Sequence, residues 1–510
     1  MTKLGIGVED GVQALPGPEA QRRRWLELAG LLIPLAIAAS LDLYRIGAQS
    51  LWLDEAFSVG MARLKWADLQ TLLLSSQRNM APYHVLLHWW VRLGTSELAV
   101  RSLSALLAAA TVLPIYALGR RLFGQPTGTL AALLFAVNAF AVAQGAQEAR
   151  GYALVLFLAT TSSYLFVRAL DRPTAANWAA YAVVGAAAMY THFFGALVLA
   201  AHFVSGLLLP RSTGLRRYVL AATAGIGLLV SPLIPGMISG NNLWWVQRPS
   251  FGTLIDVFDD LAGRGGRGLT IAYAVACCAG LVTFRNARQP AGGRSVRWGQ
   301  LFLLAWLLVP VLGSFLFSLL LKPIFISRYL IVALPAFALL AAAGVAGLRP
   351  AALRAGALVV LLGFAGRGLV HWYTGRNPKE GWRAATWELL KRARPNDAVL
   401  FEAPYVRWPF DYYVDQRGGG SVAEPLFPSM PWGAIDPFDP QFTQTLDSWL
   451  AAHRTGSRRI WVVVSHEQAG KREPQAAWYP AQLEGTVCRV EERRYVHVRV
   501  LLYDSLPCPH

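Results

Sequence analysis

Two adjacent carboxylates, Asp54 and Glu55, lie inside the apolar octet Leu51-Trp52-Leu53-Asp54-Glu55-Ala56-Phe57-Ser58. Neighbouring carboxylates repel, and in a poorly hydrated setting they persist only with a cation, a proton or a substrate beside them. An Asp so placed can take the proton of an attacking hydroxyl, while the Glu binds a metal or orients the acceptor. The competing structural reading makes Asp54 the N-cap of a helix at an interface, and the two are evenly matched.

Cations follow in the same kind of setting. In Gln147-Glu148-Ala149-Arg150-Gly151-Tyr152 a tight connection between two apolar runs carries Arg150. A guanidinium there needs an anion: either a phosphate, whose oxygens match its fork of donors, or Glu148 in a salt bridge that seals the hairpin. Lys322 and Arg328 sit in Lys322-Pro323-Ile324-Phe325-Ile326-Ser327-Arg328-Tyr329, where an anionic headgroup, a substrate phosphate or ordinary snorkelling would each account for them. His192, in Tyr190-Thr191-His192-Phe193-Phe194, is more often a satisfied structural residue than a ligand. Asp256, Asp259 and Asp260 read as a solvated face rather than a cation site. No Gly-rich phosphate loop, zinc-ligand spacing or nucleophile elbow is present.

The elements that must position these groups are membrane helices. The 510-residue chain is 55% hydrophobic and 15% charged, with mean hydropathy +0.38, which excludes an ordinary soluble domain. Its formal charge of +17 falls in short Lys/Arg clusters between apolar runs, so it describes topology and not nucleic-acid binding. Runs near the length of a span start at Trp25, Leu98, Thr127, Gly151, Trp178, Phe194, Tyr218, Leu269, Trp298, Tyr329 and Ala355, which predicts about eleven helices. With residues 1–24 as a cytoplasmic tail, the alternate loops collect Arg120/Arg121, Arg168/Arg172, Arg211/Arg216/Arg217, Arg285/Arg288/Arg294/Arg297 and Arg349/Arg354. The candidate residues then all lie outside, the first carboxylates in a long outer loop, 45–97. The short run Tyr83–Leu93, with His84, His88 and Arg92, predicts an interfacial helix instead of a crossing.

After the membrane segment, 25–372, the composition turns polar. Lys379–Arg392 has helical spacing with Pro395 and Asn396 as a stop, Asp397–Phe401 and Arg459–Val464 read as buried strands, and Val487–Leu502 alternates like a hairpin. Gly418–Asp439, rich in Gly and Pro, reads as a long loop. The fold class expected is therefore an α-helical polytopic membrane protein with a C-terminal extracytoplasmic α/β domain, 373–510. Cys488 and Cys508, the two cysteines of that domain, either pair or stay free.

The order of these motifs resembles the GT-C superfamily of membrane glycosyltransferases, and within it glycosyltransferase family 39, with its protein O-mannosyltransferases and lipid A aminoarabinose transferases. The resemblance rests on Asp54-Glu55, Ala81-Pro82-Tyr83, Ser96-Glu97-Leu98-Ala99-Val100-Arg101, Gly119-Arg120-Arg121-Leu122-Phe123-Gly124, Glu148-Ala149-Arg150-Gly151-Tyr152, Thr191-His192-Phe193-Phe194, Arg328-Tyr329-Leu330 and Asn377-Pro378-Lys379-Glu380-Gly381-Trp382. Ala81-Pro82 stands where many relatives have Pro-Pro. The resemblance implies an inverting transfer of a sugar from a polyprenyl-phosphate donor to an envelope lipid, glycan or protein, in a bacterial-type inner membrane. It implies Asp54 as base, Arg150, Arg328, Lys322 and Tyr152 at the donor phosphate, and Glu55 and His192 near an acceptor or a divalent metal, whose requirement it leaves open. A transporter or flippase of lipid-linked sugars would share the cations but places ionisable groups at the midplane. A ligase or polymerase using undecaprenyl-diphosphate glycans is the alternative among enzymes.

Overall fold

The computed structural model describes residues 18–75, 77–239, 246–282, 295–375, 378–395, 397–402, 406–418, 426–427, 459–465, 483 and 487–504. Helices form at each of the eleven positions the apolar runs mark. They are α1 (Pro18–Leu43), the consecutive α5 (Glu97–Ala110) and α6 (Val112–Phe123), α7 (Gln125–Ala136), α8 (Tyr152–Asp171), α9 (Ala175–Thr191), α10 (Gly195–Leu207), α11 (Leu215–Val230), α14 (Arg267–Val282), α15 (Val296–Leu320), a 3-10 turn Ser327–Ala333 running into α16 (Leu334–Gly347), and α17 (Ala351–Tyr373). Among the described residues seven helical segments are long and apolar enough to cross a membrane, or eight if α13 (Phe251–Ala262) and α14, bent by 81°, form one broken span. The count falls below eleven because α7, α9 and α10 are short.

Close helix contacts rest on small residues. A Cβ on Gly344 of α16 would lie 1.8 Å from the Ala276 carbonyl oxygen of α14, and one on Gly119 of α6 would lie 2.8 Å from Gly128 of α7. Backbones can approach this closely in a bundle only where a side chain is missing.

The first long loop folds into α2 (Leu53–Arg63), α3 (Trp66–Ser75) and α4 (Ala81–Trp90). The last, with the turn Val91–Leu93, is the short amphipathic element the sequence predicts. The chain's end builds α18 (Trp382–Arg392), α19 (Arg407–Asp415) and strands β1 (Ala398–Phe401), β2 (Leu426–Phe427), β3 (Ile460–Ser465), β4 (Cys488–Tyr495) and β5 (Val498–Asp504), in the order β2-β1-β3-β5-β4. β1 runs parallel to β2 and β3, whereas β3, β5 and β4 pair antiparallel. Two expectations shift. α18 begins at Trp382 because Lys379 and Glu380 turn inward to other partners, and the stretch read as a loop contains β2. Cys488 is disulfide-bonded, while Cys508, Trp244, Trp245, Asn377, Asn396 and Arg285, Arg288 and Arg294 lie outside the described residues.

The C-terminal elements share a hydrophobic core with the first loop: Trp382, Phe410, Tyr412, Tyr413 and Trp461 cluster with Leu51, Val59, Val100 and Ala149. Within that junction, burial pushes the Asp411 carboxyl of α19 up to about 6, against the pull of Arg407 at 2.9 Å. A carboxyl raised in the folded state stabilises the fold most below its unfolded value near 4 and loses that contribution as pH rises through 6. Asp411→Asn should therefore flatten the fall in melting temperature between pH 4 and pH 7, measured on the full chain in detergent; an unchanged slope would show that Asp411 is not responsible.

Candidate functional site

The adjacent carboxylates part company because they occupy successive positions of one helix. α2 starts at Leu53 with Trp52 as N-cap, so Asp54 and Glu55 stand in its first turn, roughly 100° apart around the axis. The cap the sequence offered to Asp54 is supplied by its neighbour: a Glu55 oxygen accepts the Trp52 N–H at 3.4 Å.

Glu55 is fully buried and multiply bonded. Arg101 of α5 donates to it from Nε at 2.7 Å and from an Nη at 2.6 Å, Lys379 Nζ at 3.2 Å and the Ala149 N–H at 2.9 Å. Burial alone would raise this carboxyl; Arg101 and Lys379 overcome it and hold the group down at about 2. Its oxygens are thus committed to the protein, which leaves little room for the metal or acceptor contact expected of it. Arg101 also donates to the carbonyls of Ile46, Gln49 and Ser50, fixing the chain that leads into α2.

Asp54 points the other way. Its side chain keeps 31% exposure, and its ion-pair partner is Arg150, at 3.5 Å. Arg150 also reaches the Asp54 carbonyl and Ser58 Oγ at 3.4 Å each, and its Nε is buried without a hydrogen-bond partner. These are long contacts for a guanidinium, whose bonds to oxyanions normally run about 2.7–2.9 Å. The alternative of a seal between Arg150 and Glu148 is not formed. Glu148 lies instead with Gln144 and Lys379, its carboxyl raised by burial and one oxygen unsatisfied.

Around this pair the other predicted residues converge. The Arg328 guanidinium stands 5.2 Å from the Trp52 ring and 5.8 Å from Tyr329; Tyr329 packs on His192 at 4.7 Å and Tyr152 at 6.1 Å; Arg150 lies 5.9 Å from Tyr152. His192, at the end of α9, donates or accepts nothing through its buried Nε2, and the Tyr152 hydroxyl is likewise unbonded. Lys322 is half-buried just beyond α15. The three aspartates do not act together: Asp260 pairs with Arg264 at 2.6 Å, Asp259 accepts from Thr270 and Asp256 is exposed.

Sequence reasoning missed His84. It is buried on α4 beside Phe57, with neither ring nitrogen bonded, and burial together with Arg150 lowers it to about 3, so it is a neutral imidazole. The sequence signal was weak, because His84 shares a short apolar run with His88 and Arg92 and nothing in the sequence sets it apart from them. It also missed Lys379 and Arg101 as partners of Glu55, although a lone cation opening an apolar span was visible at Arg101.

Among the described residues no group of three or more His, Cys, Asp or Glu is placed to hold a metal ion. Of the two residues expected near a metal, Glu55 is committed to Arg101 and Lys379, which leaves His192.

Residues 80–235 match the family described as dolichyl-phosphate-mannose-protein mannosyltransferase. No curated protein matches the chain. Among solved structures, ArnT from Cupriavidus metallidurans bound to undecaprenyl phosphate has TM-score 0.61 at 13% identity, covering 93% of this chain and 98% of that one. The archaeal oligosaccharyltransferase AglB from Archaeoglobus fulgidus, with an inhibitory peptide and a dolichol-phosphate, has TM-score 0.54 at 11% identity, covering 94% and 74%. The Archaeoglobus fulgidus oligosaccharyltransferase in complex with Zn and sulfate has TM-score 0.53 at 12% identity, covering 93% and 72%. The chain shares the fold of these solved structures.

The committed bonding of Glu55 predicts a stability effect. Glu55→Gln leaves Arg101 buried without its counter-charge, a loss of about 3 kcal/mol or more, whereas Asp54→Asn, on a partly open side chain, should leave melting in detergent nearly unchanged. Equal melting temperatures for the two variants would contradict this division.

Proposed function

We propose that the chain is an inverting glycosyltransferase that moves a sugar from a polyprenyl-phosphate donor to an envelope lipid, glycan or protein, at the outer face of a bacterial-type inner membrane. The observation that carries the reading is the half-open Asp54 carboxylate beside Arg150 and Arg328, above an aromatic floor and at the ends of apolar helices. A donor with a long isoprenoid tail can present its phosphate only at such a place.

Asp54 takes the proton of the acceptor hydroxyl as its oxygen forms a bond to the anomeric carbon. The bond from that carbon to the phosphate oxygen breaks, and polyprenyl phosphate leaves with the electron pair. Arg150 and Arg328 take up the growing negative charge beside Tyr152, and Lys322, just beyond α15, is the further cation assigned to the phosphate. One displacement inverts the anomeric centre. The long contacts of Arg150 to Asp54 and Ser58 suit this exchange, because a phosphate within reach would draw the guanidinium away and free the carboxylate as a base. His192 and His84, neutral and unsatisfied, are suited to sugar or acceptor hydroxyls, which need donors and acceptors without charge. The matched family and the ArnT structure holding undecaprenyl phosphate support the donor class.

The Arg clusters support a cytoplasmic N-terminus, a membrane domain over 25–372 and an outer domain over 373–510. A reporter fused after residue 510 should be active only outside the cytoplasm; the reverse would overturn the orientation.

In proteoliposomes with a polyprenyl-phosphate sugar, Asp54→Asn should lower turnover about 100-fold or more while the protein stays folded. Arg150→Gln and Arg328→Gln should weaken donor binding or slow the chemical step, and normal turnover by both would place the phosphate elsewhere.

A further inference from the structure

α2 has 11 residues, too few for a helix to be stable by itself, since isolated helices below about 12–15 residues are marginal in water. Its N-terminal end also presents backbone N–H groups that no carbonyl within the helix can satisfy. The structure shows who supplies the partners. The Leu51 N–H donates to the Tyr413 hydroxyl at 2.7 Å and the Leu53 N–H to Glu380 Oε2 at 3.2 Å, with the Trp52 N–H between them going to Glu55. Two of these three consecutive donors are satisfied from the C-terminal region, more than 300 positions along the chain.

The same region holds the helix from other directions. Lys379 reaches Glu55 Oε2 at 3.2 Å and the Gln147 carbonyl at 2.8 Å, its own N–H donates to Gln49 Oε1 at 2.8 Å, and Ser50 Oγ donates to the Glu380 carbonyl. Glu380 is itself held by the Trp382 indole at 2.5 Å. At the far end, Arg63 pairs with Asp415 at 2.5 Å, and the Trp408 ring lies 4.5 Å from Phe57. The residue between the gripped backbone of Leu53 and the gripped carboxylate of Glu55 is Asp54.

We propose that Lys379 and Glu380 are positioning residues that set the place of Asp54, so that the C-terminal region is part of the catalytic apparatus. Lys379 acts through Glu55 and the Gln147 carbonyl, which precedes the Arg150 turn; Glu380 acts through the Leu53 N–H. The inference rests on Asp54 being the base. Both side chains bond to protein groups, Lys379 to Glu55 and Gln147 and Glu380 to Leu53 and Trp382, so their loss should appear in the chemical step and not in donor affinity. A shift of the order of an ångström in a catalytic group can cost about 100-fold.

The test uses the full chain in proteoliposomes, with transfer measured against donor concentration well below the melting temperature of each variant. Glu380→Ala removes the acceptor for the Leu53 N–H and should lower kcat roughly 10- to 100-fold with donor KM within about twofold. Glu380→Gln keeps an accepting oxygen in the same place and should recover most of kcat. Lys379→Met should behave like Glu380→Ala if it folds; if it does not, the Ala/Gln pair at 380 decides. Wild-type kcat in Glu380→Ala, or a loss that Gln does not relieve, would overturn the inference while Asp54→Asn remains inactive. Transfer that is intact in Asp54→Asn would overturn the base assignment beneath it.

Discussion

The ion cluster of Glu55, Arg101 and Lys379 ties together three parts of the chain that are remote in sequence: the first loop, the start of the second membrane helix and the beginning of the C-terminal region. All three side chains are buried. Burying charge is costly, and such a cluster is weak as a source of net stability unless every oxygen and proton is satisfied. Here each Glu55 oxygen has at least two donors, and Arg101 spends its remaining protons on three carbonyls of the loop backbone, those of Ile46, Gln49 and Ser50. What the arrangement gains is definition. An apolar contact at the same place would tolerate sliding or rotation of α2, whereas a bidentate pair crossed by an ammonium does not.

That definition allows two identical functional groups to differ. The carboxyls of Asp54 and Glu55 are adjacent in sequence, yet one is sealed inside and charged down to low pH while the other opens beside Arg150. The helix turn separates them, and the fixed Glu55 sets the rotation of α2 that directs Asp54 outward. The repulsion expected of the pair is relieved by giving each its own guanidinium, Arg101 for one and Arg150 for the other.

Much of the architecture was legible because membrane helices write themselves in composition. The eleven apolar runs and the strands β1, β3, β4 and β5 lie close to where periodicity puts them. The residues that gather at the site, Asp54, Arg150, Tyr152, His192 and Arg328, were also visible as charge or imidazole in apolar surroundings. The partners were not. Whether Glu55 faces a substrate or Arg101 depends on which side of an 11-residue helix it occupies, and the sequence supplies no reference for that rotation. Lys379 looked like the start of an amphipathic helix because its neighbours fit the helical period; its inward turn depends on a carboxylate over 300 residues away. His84 was hidden for the same reason, one of three polar residues in a run whose burial is decided by the elements packed on it.

The electrostatics of the site follow from the same division. With Glu55 neutralised by Arg101 and Lys379, Asp54 and the buried Glu148 carboxyl are the acids that act on Arg150 and Arg328. The two guanidiniums also act on each other, among neutral His84 and the rings of Tyr152, Tyr329 and Trp52. A low-dielectric surround makes the repulsion between the guanidiniums more consequential than it would be in water. In the proposed reaction a phosphate offsets the repulsion between the two guanidiniums when it arrives and restores it when it leaves, so affinity for the donor head and stabilisation of the departing group draw on the same pair of cations. In that proposal the carboxylate that competes with the phosphate for Arg150 is the group that the phosphate's arrival releases for proton transfer.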